Sequence, residues 1–398
     1  MTAMQRRRID HDADWLDVAN QWNVRDDTIY LNHGSFGPPP NPVAEAKRDW
    51  LQRMECQPMD FFCRHFEQAV VDARGALARF VGTNRKDLVL CDNATAAMNI
   101  VARSFPLSCG DQVLLTNHEY GAVHRIWQRA CEQTGAQLRV ANLPVRCHTS
   151  ADVLHPLLAA VSASTRLIVV SHITSPTAII FPIVDICREA ADRDIPVCVD
   201  GPHAVATLDL ALDRLGCAFY TASCHKWLSA SLGSGFLYVH PAWQDRIQPM
   251  QQSWGRLQPE IPHTWDEEFT WPGTRDATSL FTIPDAIVFL ENIGCEAFRQ
   301  RTHWLAQYAR RALEQLFNTM AIVPDSTTWY QTMTLIPLPV GNHAGLQQQL
   351  WKRFHIEVPI IQFEDNWYIR VSCHLYNSTS HIDLLVKALA VLCRSGGG

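Results

Sequence analysis

Between residues 87 and 240 short apolar runs alternate with stretches of helical periodicity, and this alternation restricts the chain more than any other feature. Runs at 88–90, 112–116, 137–140, 166–171, 197–200 and 219–222 read as strands. Parallel neighbours need a crossover, usually a helix, so the pattern predicts an α/β fold with a largely parallel, seven-stranded sheet covered on both faces. The seventh run, 235–240, is expected to lie antiparallel at an edge. A loop richer in Trp, Pro and polar residues, about 254–278, precedes a long helical pattern from Pro284 toward Phe317. Strands around 332–336, 356–359 and 367–372 then alternate with helices, as in a smaller C-terminal α/β domain. The expected division is an N-terminal arm and active-site segment over 1–45, a large domain over 46–278 and a small domain over 279–398.

Open sheets of this class gather ligands at the carboxyl ends of their strands. Asn93 to Thr95, His118 to Tyr120, Ser175 and Asp200 all fall just beyond such ends. Asp200 closes the buried run Val197-Cys198-Val199, and Lys226 follows inside Ser223-Cys224-His225-Lys226, ahead of Gly233-Ser234-Gly235. Taken singly, each is ordinary: a capping Asp after a strand, a surface Lys at a helix start. Together they fit one purpose. A rigidly held amine forms a Schiff base with an aldehyde, neighbouring hydroxyls bind a phosphate, and a carboxylate keeps a pyridine nitrogen protonated as an electron sink. Pyridoxal phosphate is the cofactor with those three parts.

Other segments suit the same ligand. Asp92-Asn93-Ala94-Thr95 opens a helix directly after a strand, where free amides and the helix dipole favour a phosphate; a plain N-cap is the competing explanation. Tyr120 could stack on the pyridine ring, with His118 in reserve, although an aromatic at a helix start is often mere packing. His203, three residues past Asp200, is within plausible reach of the cofactor's phenolic oxygen, against a core histidine as the alternative.

A formal net charge of −6 argues against a nucleic-acid partner, and Arg6-Arg7-Arg8 is too short a basic run to alter that. The acidic segment after it leaves no apolar signal region, and apolar stretches are strand-sized, so neither secretion nor a membrane span is expected and the cytoplasm is the expected compartment. Thirteen scattered cysteines lack metal-ligand spacing and sit mostly among apolar residues; reduced thiols and no metal are expected. Gly396-Gly397-Gly398 is the one low-complexity segment.

These pieces, in this order, resemble the class V aminotransferase family of pyridoxal-phosphate enzymes, over nearly the whole chain. Within it the chain is most similar to the isopenicillin N epimerase-like branch, through Tyr30-Leu31-Asn32-His33-Gly34-Ser35-Phe36-Gly37, His118-Glu119-Tyr120-Gly121-Ala122, Ser223-Cys224-His225-Lys226-Trp227 and Gly273-Thr274-Arg275-Asp276. The resemblance implies a fold type I homodimer with active sites at the subunit boundary. It implies that Lys226 holds the cofactor, that Asp200 pairs with the ring nitrogen and that His203 lies near the phenolic oxygen. Ala94, Thr95, Ser223 and His225 would contact phosphate, and Thr274 would reach it from the neighbouring subunit. Asn32, Gly34, Ser175 and Arg370 would face an amino-acid substrate; Arg370 lies in Ile369-Arg370-Val371-Ser372, followed by Tyr376-Asn377, which matches the family's carboxylate clamp. A guanidinium fork suits a carboxylate.

Two departures narrow the activity. Cysteine desulfurases of the family carry a catalytic Cys shortly before that Arg, and the stretch 356–366 has none, while Cys373 falls after it. Where many relatives have Asn near the substrate carboxylate, this chain has Ser175-Pro176. The expected activity is epimerisation at Cα, with a C–S lyase next and transamination third. A regulator that binds the cofactor without turnover is the rival from another class; such proteins carry a basic DNA-binding module ahead of the fold, whereas the residues preceding the phosphate turn here are acidic in character.

Overall fold

A computed structural model describes residues 7–256 and 261–394; Arg6 of the basic run, part of the 254–278 loop and the terminal glycines lie outside the described residues. The strands among them are β1 (Ile29–Tyr30), β2 (Leu88–Cys91), β3 (Gln112–Thr116), β4 (Gln137–Ala141), β5 (Thr165–Ser171), β6 (Val197–Asp200), β7 (Phe219–Ser223), β8 (Gly235–Val239), β9 (Met333–Pro337), β10 (Ile356–Glu357), β11 (Ile360–Phe363) and β12 (Asn366–Ser372). Contacts divide the chain into two compact units. One comprises 42–175 and 181–289, the other the residues up to 41, 176–180 and those from 290 onward.

The larger unit holds a seven-stranded sheet in the order β2-β8-β7-β6-β5-β3-β4. Strands β7, β6, β5, β3 and β4 run parallel, joined through helices such as Gly121–Thr134 and Ile183–Ala191. β8 is antiparallel to both neighbours, but it is not at an edge: it lies between β2 and β7. The composition explains the correction. Gly235-Phe236-Leu237-Tyr238-Val239 is buried at all five positions and offers no charged side chain to shield an open edge. β4, which does form an edge, exposes Gln137 and Arg139. On one face the helices Ala94–Ser104 and Gly121–Thr134 lay Met98, Val101, Val123 and the fully buried Trp127 over Val89, Val113, Leu115 and Val169.

Register fixes what stands beside Asp200. Ser171 of β5 pairs with it on one side and Thr221 of β7 on the other. Gly201 then turns the chain directly past Tyr220, where a Cβ would overlap the phenol ring at 2.1 Å, so only glycine fits.

In the smaller unit β1 pairs in parallel with β10, which ties the N-terminal segment to the C-terminal one. β11, β12 and β9 form an antiparallel sheet. Two expectations need correction. The helical pattern beyond Pro284 is two helices, Ile283–Ile293 and Cys295–Phe317, because Gly294 sits at φ 96° and interrupts the ladder. The expected strand at 356–359 pairs only over Ile356–Glu357; the next residues reverse through Glu364 (φ 52°) as a tight β11–β12 hairpin.

Candidate active site

In the larger unit the turn after β7 carries most of the chemistry. Ser223 accepts from the Ala94 backbone amide at 3.0 Å, which joins the end of β7 to the start of the 94–104 helix. That helix is capped by Asn93, whose side chain accepts from the Ala96 amide at 2.9 Å; Thr95 beside it is exposed. Gly235 lets these segments approach, since a Cβ there would lie 2.6 Å from the Ala222 carbonyl and 2.8 Å from Asn93 Cα. His225 Nδ1 donates to the Ser234 carbonyl at 3.0 Å, so the other ring nitrogen is an acceptor while the ring is neutral. Burial, with the nearby Lys226 charge, lowers the His225 pKa and favours that neutral state.

Lys226 is half-buried and its Nζ lies 3.1 Å from His203 Nε2. The opposite nitrogen of His203 accepts from the Trp227 indole N–H at 3.2 Å. His203 and Trp227 are each 1% exposed. Asp200, also buried, accepts from the Thr221 hydroxyl at 2.9 Å. Desolvation raises its carboxyl to about 6, against the Thr221 hydrogen bond and the Lys226 charge, which lower it. The structure therefore brings Ala94, Ser223, His225, Lys226, His203 and Asp200 into a connected set. Tyr120 caps the 121–134 helix with a side chain 49% exposed, Thr274 is exposed next to the Arg275–Asp92 ion pair, and Ser175 is half-buried. His118 is buried with its ring 5.9 Å from that of Phe181, and desolvation lowers its pKa to about 4.

In the smaller unit Arg370 of β12 is 4% exposed and donates to Ser35 Oγ at 3.1 Å. Desolvation alone lowers its pKa, to about 10. Asn32 bridges to Ser372 and its Nδ2 lies 3.4 Å from Glu357 Oε1; its Oδ1 is buried with no hydrogen-bond partner among the described residues. Gly34 is buried between them in the chain. The Asn32-His33-Gly34-Ser35 segment thus meets β12 through backbone and side chain alike.

Residues 29–385 match the family described as aminotransferase class V. The chain belongs to the class V aminotransferase family. It is 34% identical to isopenicillin N epimerase of Streptomyces clavuligerus, over 96% of this chain and 98% of that protein. A probable chloroplastic L-cysteine desulfhydrase of Arabidopsis thaliana is 25% identical, over 93% of this chain and 84% of the other. Among solved structures, a complex of the cystine C–S lyase C-DES with its product cysteine persulfide superposes with a TM-score of 0.80 at 23% identity, over 92% of this chain and 98% of that chain. The chain is a pyridoxal-phosphate enzyme of fold type I. Its residues fit the cofactor: a buried acid with one neutral hydroxyl as its hydrogen-bond donor can hold a protonated ring nitrogen, and an Asn-capped helix start with an exposed Thr hydroxyl can hold a phosphate.

Three neighbours of the site carried no role in the sequence reading. Thr221 could have been found from register, since it pairs with Asp200. Trp227 belongs to the quoted motif, but its hydrogen bond depends on the turn after β7. Glu119 is the third. It is buried at the end of β3 and accepts from Thr116 at 2.7 Å and Ser171 at 2.5 Å. Desolvation pushes its carboxyl up to about 8; the two hydroxyls oppose this, and the Asp200 charge adds to it.

Because the folded value for Glu119 exceeds its ordinary 4.5, the native state holds this proton more tightly than the unfolded chain. The stabilisation is complete below pH 4.5 and is lost as pH rises toward about 8. Urea unfolding of the apoprotein should show the stability of wild type relative to Glu119→Gln declining across that window, by roughly 3–5 kcal/mol. A difference independent of pH would contradict the assignment.

Proposed function

We propose that this enzyme is an amino-acid epimerase acting at Cα, a cytoplasmic homodimer in which Lys226 holds the cofactor covalently. The observation that carries the reading is the conjunction of Lys226, contacting His203, with the buried acid Asp200 at the ends of adjacent strands. When bound, pyridoxal phosphate supplies an electron sink for the pair left at Cα when a bond there breaks. Lys226 Nζ takes the α-proton as general base. Asp200 holds the negative charge that keeps the ring nitrogen protonated, and His203 provides a hydrogen bond at the phenolic oxygen. Ala94, Thr95, Ser223 and His225 bind the phosphate, with Thr274 serving the site of the neighbouring copy. Tyr120 flanks the ring. Arg370 binds the substrate carboxylate, and Asn32, Gly34 and Ser175 shape the space around the substrate. Epimerisation returns a proton to the face of Cα opposite Lys226.

Similarity to isopenicillin N epimerase across nearly the full length of both chains supports this branch. Persulfide chemistry is disfavoured on physical grounds. Residues 356–366 are taken up by β10 and the β11–β12 hairpin and contain no thiol, whereas Cys373 is fully buried with its thiol pushed up to about 12. All thirteen cysteines are free, which suits a reducing compartment. A C–S lyase is the second reading, favoured by the desulfhydrase relative; there the α-proton leaves and the β-substituent departs with its bonding electrons.

Purified holoenzyme should show a visible cofactor band that Lys226→Ala abolishes. In deuterium oxide an epimerised substrate should gain deuterium at Cα with loss of chirality and no pyruvate. Pyruvate with a released thiol would select the lyase, and a colourless protein that takes up no cofactor would refute both.

Arg370→Lys keeps the charge but loses the planar fork. Its kcat/KM for amino acids should fall by roughly 10–100-fold, mainly through KM, with the visible band intact. An unchanged KM would remove Arg370 from the carboxylate site.

A further inference from the structure

We propose that Trp227 is a positioning residue: it fixes the tautomer of His203, with Nδ1 as acceptor and Nε2–H turned toward Lys226, and thereby keeps the Lys226 amine uncharged and nucleophilic. This rests on the assignment of Lys226 as the cofactor-binding amine and adds the device that prepares it.

Indole nitrogen is a donor only. With Trp227 Nε1–H directed at His203 Nδ1 at 3.2 Å, a proton on Nδ1 would set two donors against each other. Neutral His203 therefore carries its proton on Nε2, the atom 3.1 Å from Lys226 Nζ. An ammonium at Lys226 would again oppose two donors across that contact, whereas a neutral amine accepts from Nε2–H with its lone pair. Exposure of 1% at both His203 and Trp227 leaves little water to relieve the first clash. The donor property of one indole is thus passed through the imidazole to the amine.

Asp200 and His225 also act on Lys226. The Asp200 carboxylate interacts with the Lys226 charge and favours the ammonium form. Charges on His225 and Lys226 oppose each other, so a protonated His225 would favour the free amine. Both remain when Trp227 is replaced, so a comparison of variants isolates the indole.

Trp227→Phe keeps an aromatic ring and removes the N–H. In apoenzyme, labelling of residue 226 by trinitrobenzenesulfonate, followed across pH by peptide mass, should show the midpoint rising by about 1 pH unit, a tenfold slower reaction at neutral pH. The pH dependence of the visible band in holoenzyme should shift too. In a His203→Leu background the same replacement should change neither, because the effect passes through the imidazole. Near-UV circular dichroism checks that each variant folds. Imidazole 15N shifts of unmodified protein, assigned by comparison with His203→Leu, give a second test that needs no folded Trp227 variant, and they should report an Nε2–H tautomer. An Nδ1–H tautomer, an unmoved labelling midpoint, or a shift that persists without His203 would each overturn the proposal. Absence of the visible band from wild type would overturn the function proposed above, while the tautomer and labelling midpoint could still be read.

Discussion

A carboxylate buried at the end of a parallel strand is the constraint on which the larger unit turns. Removing an isolated ionised acid from water costs several kcal/mol, so Asp200 must be compensated by what the fold brings to it. Register does this. β6 and β7 are buried at every position, and their pairing sets Thr221 opposite Asp200 with its hydroxyl 2.9 Å from the carboxylate. The glycine at 201 lets the chain leave β6 across the face of Tyr220, and two residues later it delivers His203 to Lys226. Sheet register, one missing Cβ and one hydroxyl thus place Asp200, His203 and Lys226.

The smaller unit meets the same problem with the opposite charge. Arg370 is buried on β12, and desolvation lowers its pKa to about 10, so the guanidinium stays charged in an environment that disfavours charge. Ser35 accepts one of its hydrogen bonds and comes from the N-terminal segment, which the β1–β10 pairing and the Asn32–Ser372 bridge hold in place. An anion with carboxylate geometry complements such a group. The residues just before Arg370 are taken up by the tight β11–β12 hairpin, which carries no thiol.

The sheet was legible because strands buried on both faces are continuous apolar runs, and each of the seven runs became a strand. Position within the sheet was not: an antiparallel β8 fits an edge or an interior slot equally well until its partners are known, and only complete burial of Phe236, Leu237 and Tyr238 decides. The break at Gly294 was visible as a residue but not as a conformation, since a lone glycine inside a helical pattern is often tolerated. Asp200 and Lys226 stood out in the sequence because the two residue types carry their chemistry with them. Trp227 and Glu119 could not, because their roles reside in contacts. An indole directed at Nδ1 and a carboxyl held by two hydroxyls from different strands are properties of the folded turn ends.

Glu119 and Asp200 are both acids buried at strand ends, yet their surroundings separate them. Glu119 receives two hydroxyl hydrogen bonds and the repulsion of Asp200, and its carboxyl stands at about 8, protonated at neutral pH. Burial raises the Asp200 carboxyl only to about 6, against the Thr221 hydrogen bond, so it is mostly ionised at neutral pH. Of these two carboxyls only Asp200 therefore keeps its negative charge at neutral pH. Were both acids ionised, their mutual repulsion would add to two desolvation costs. Placing the extra carboxyl between two hydroxyls lets Thr116 of β3 and Ser171 of β5 be joined through Glu119 without a second charge beside Asp200.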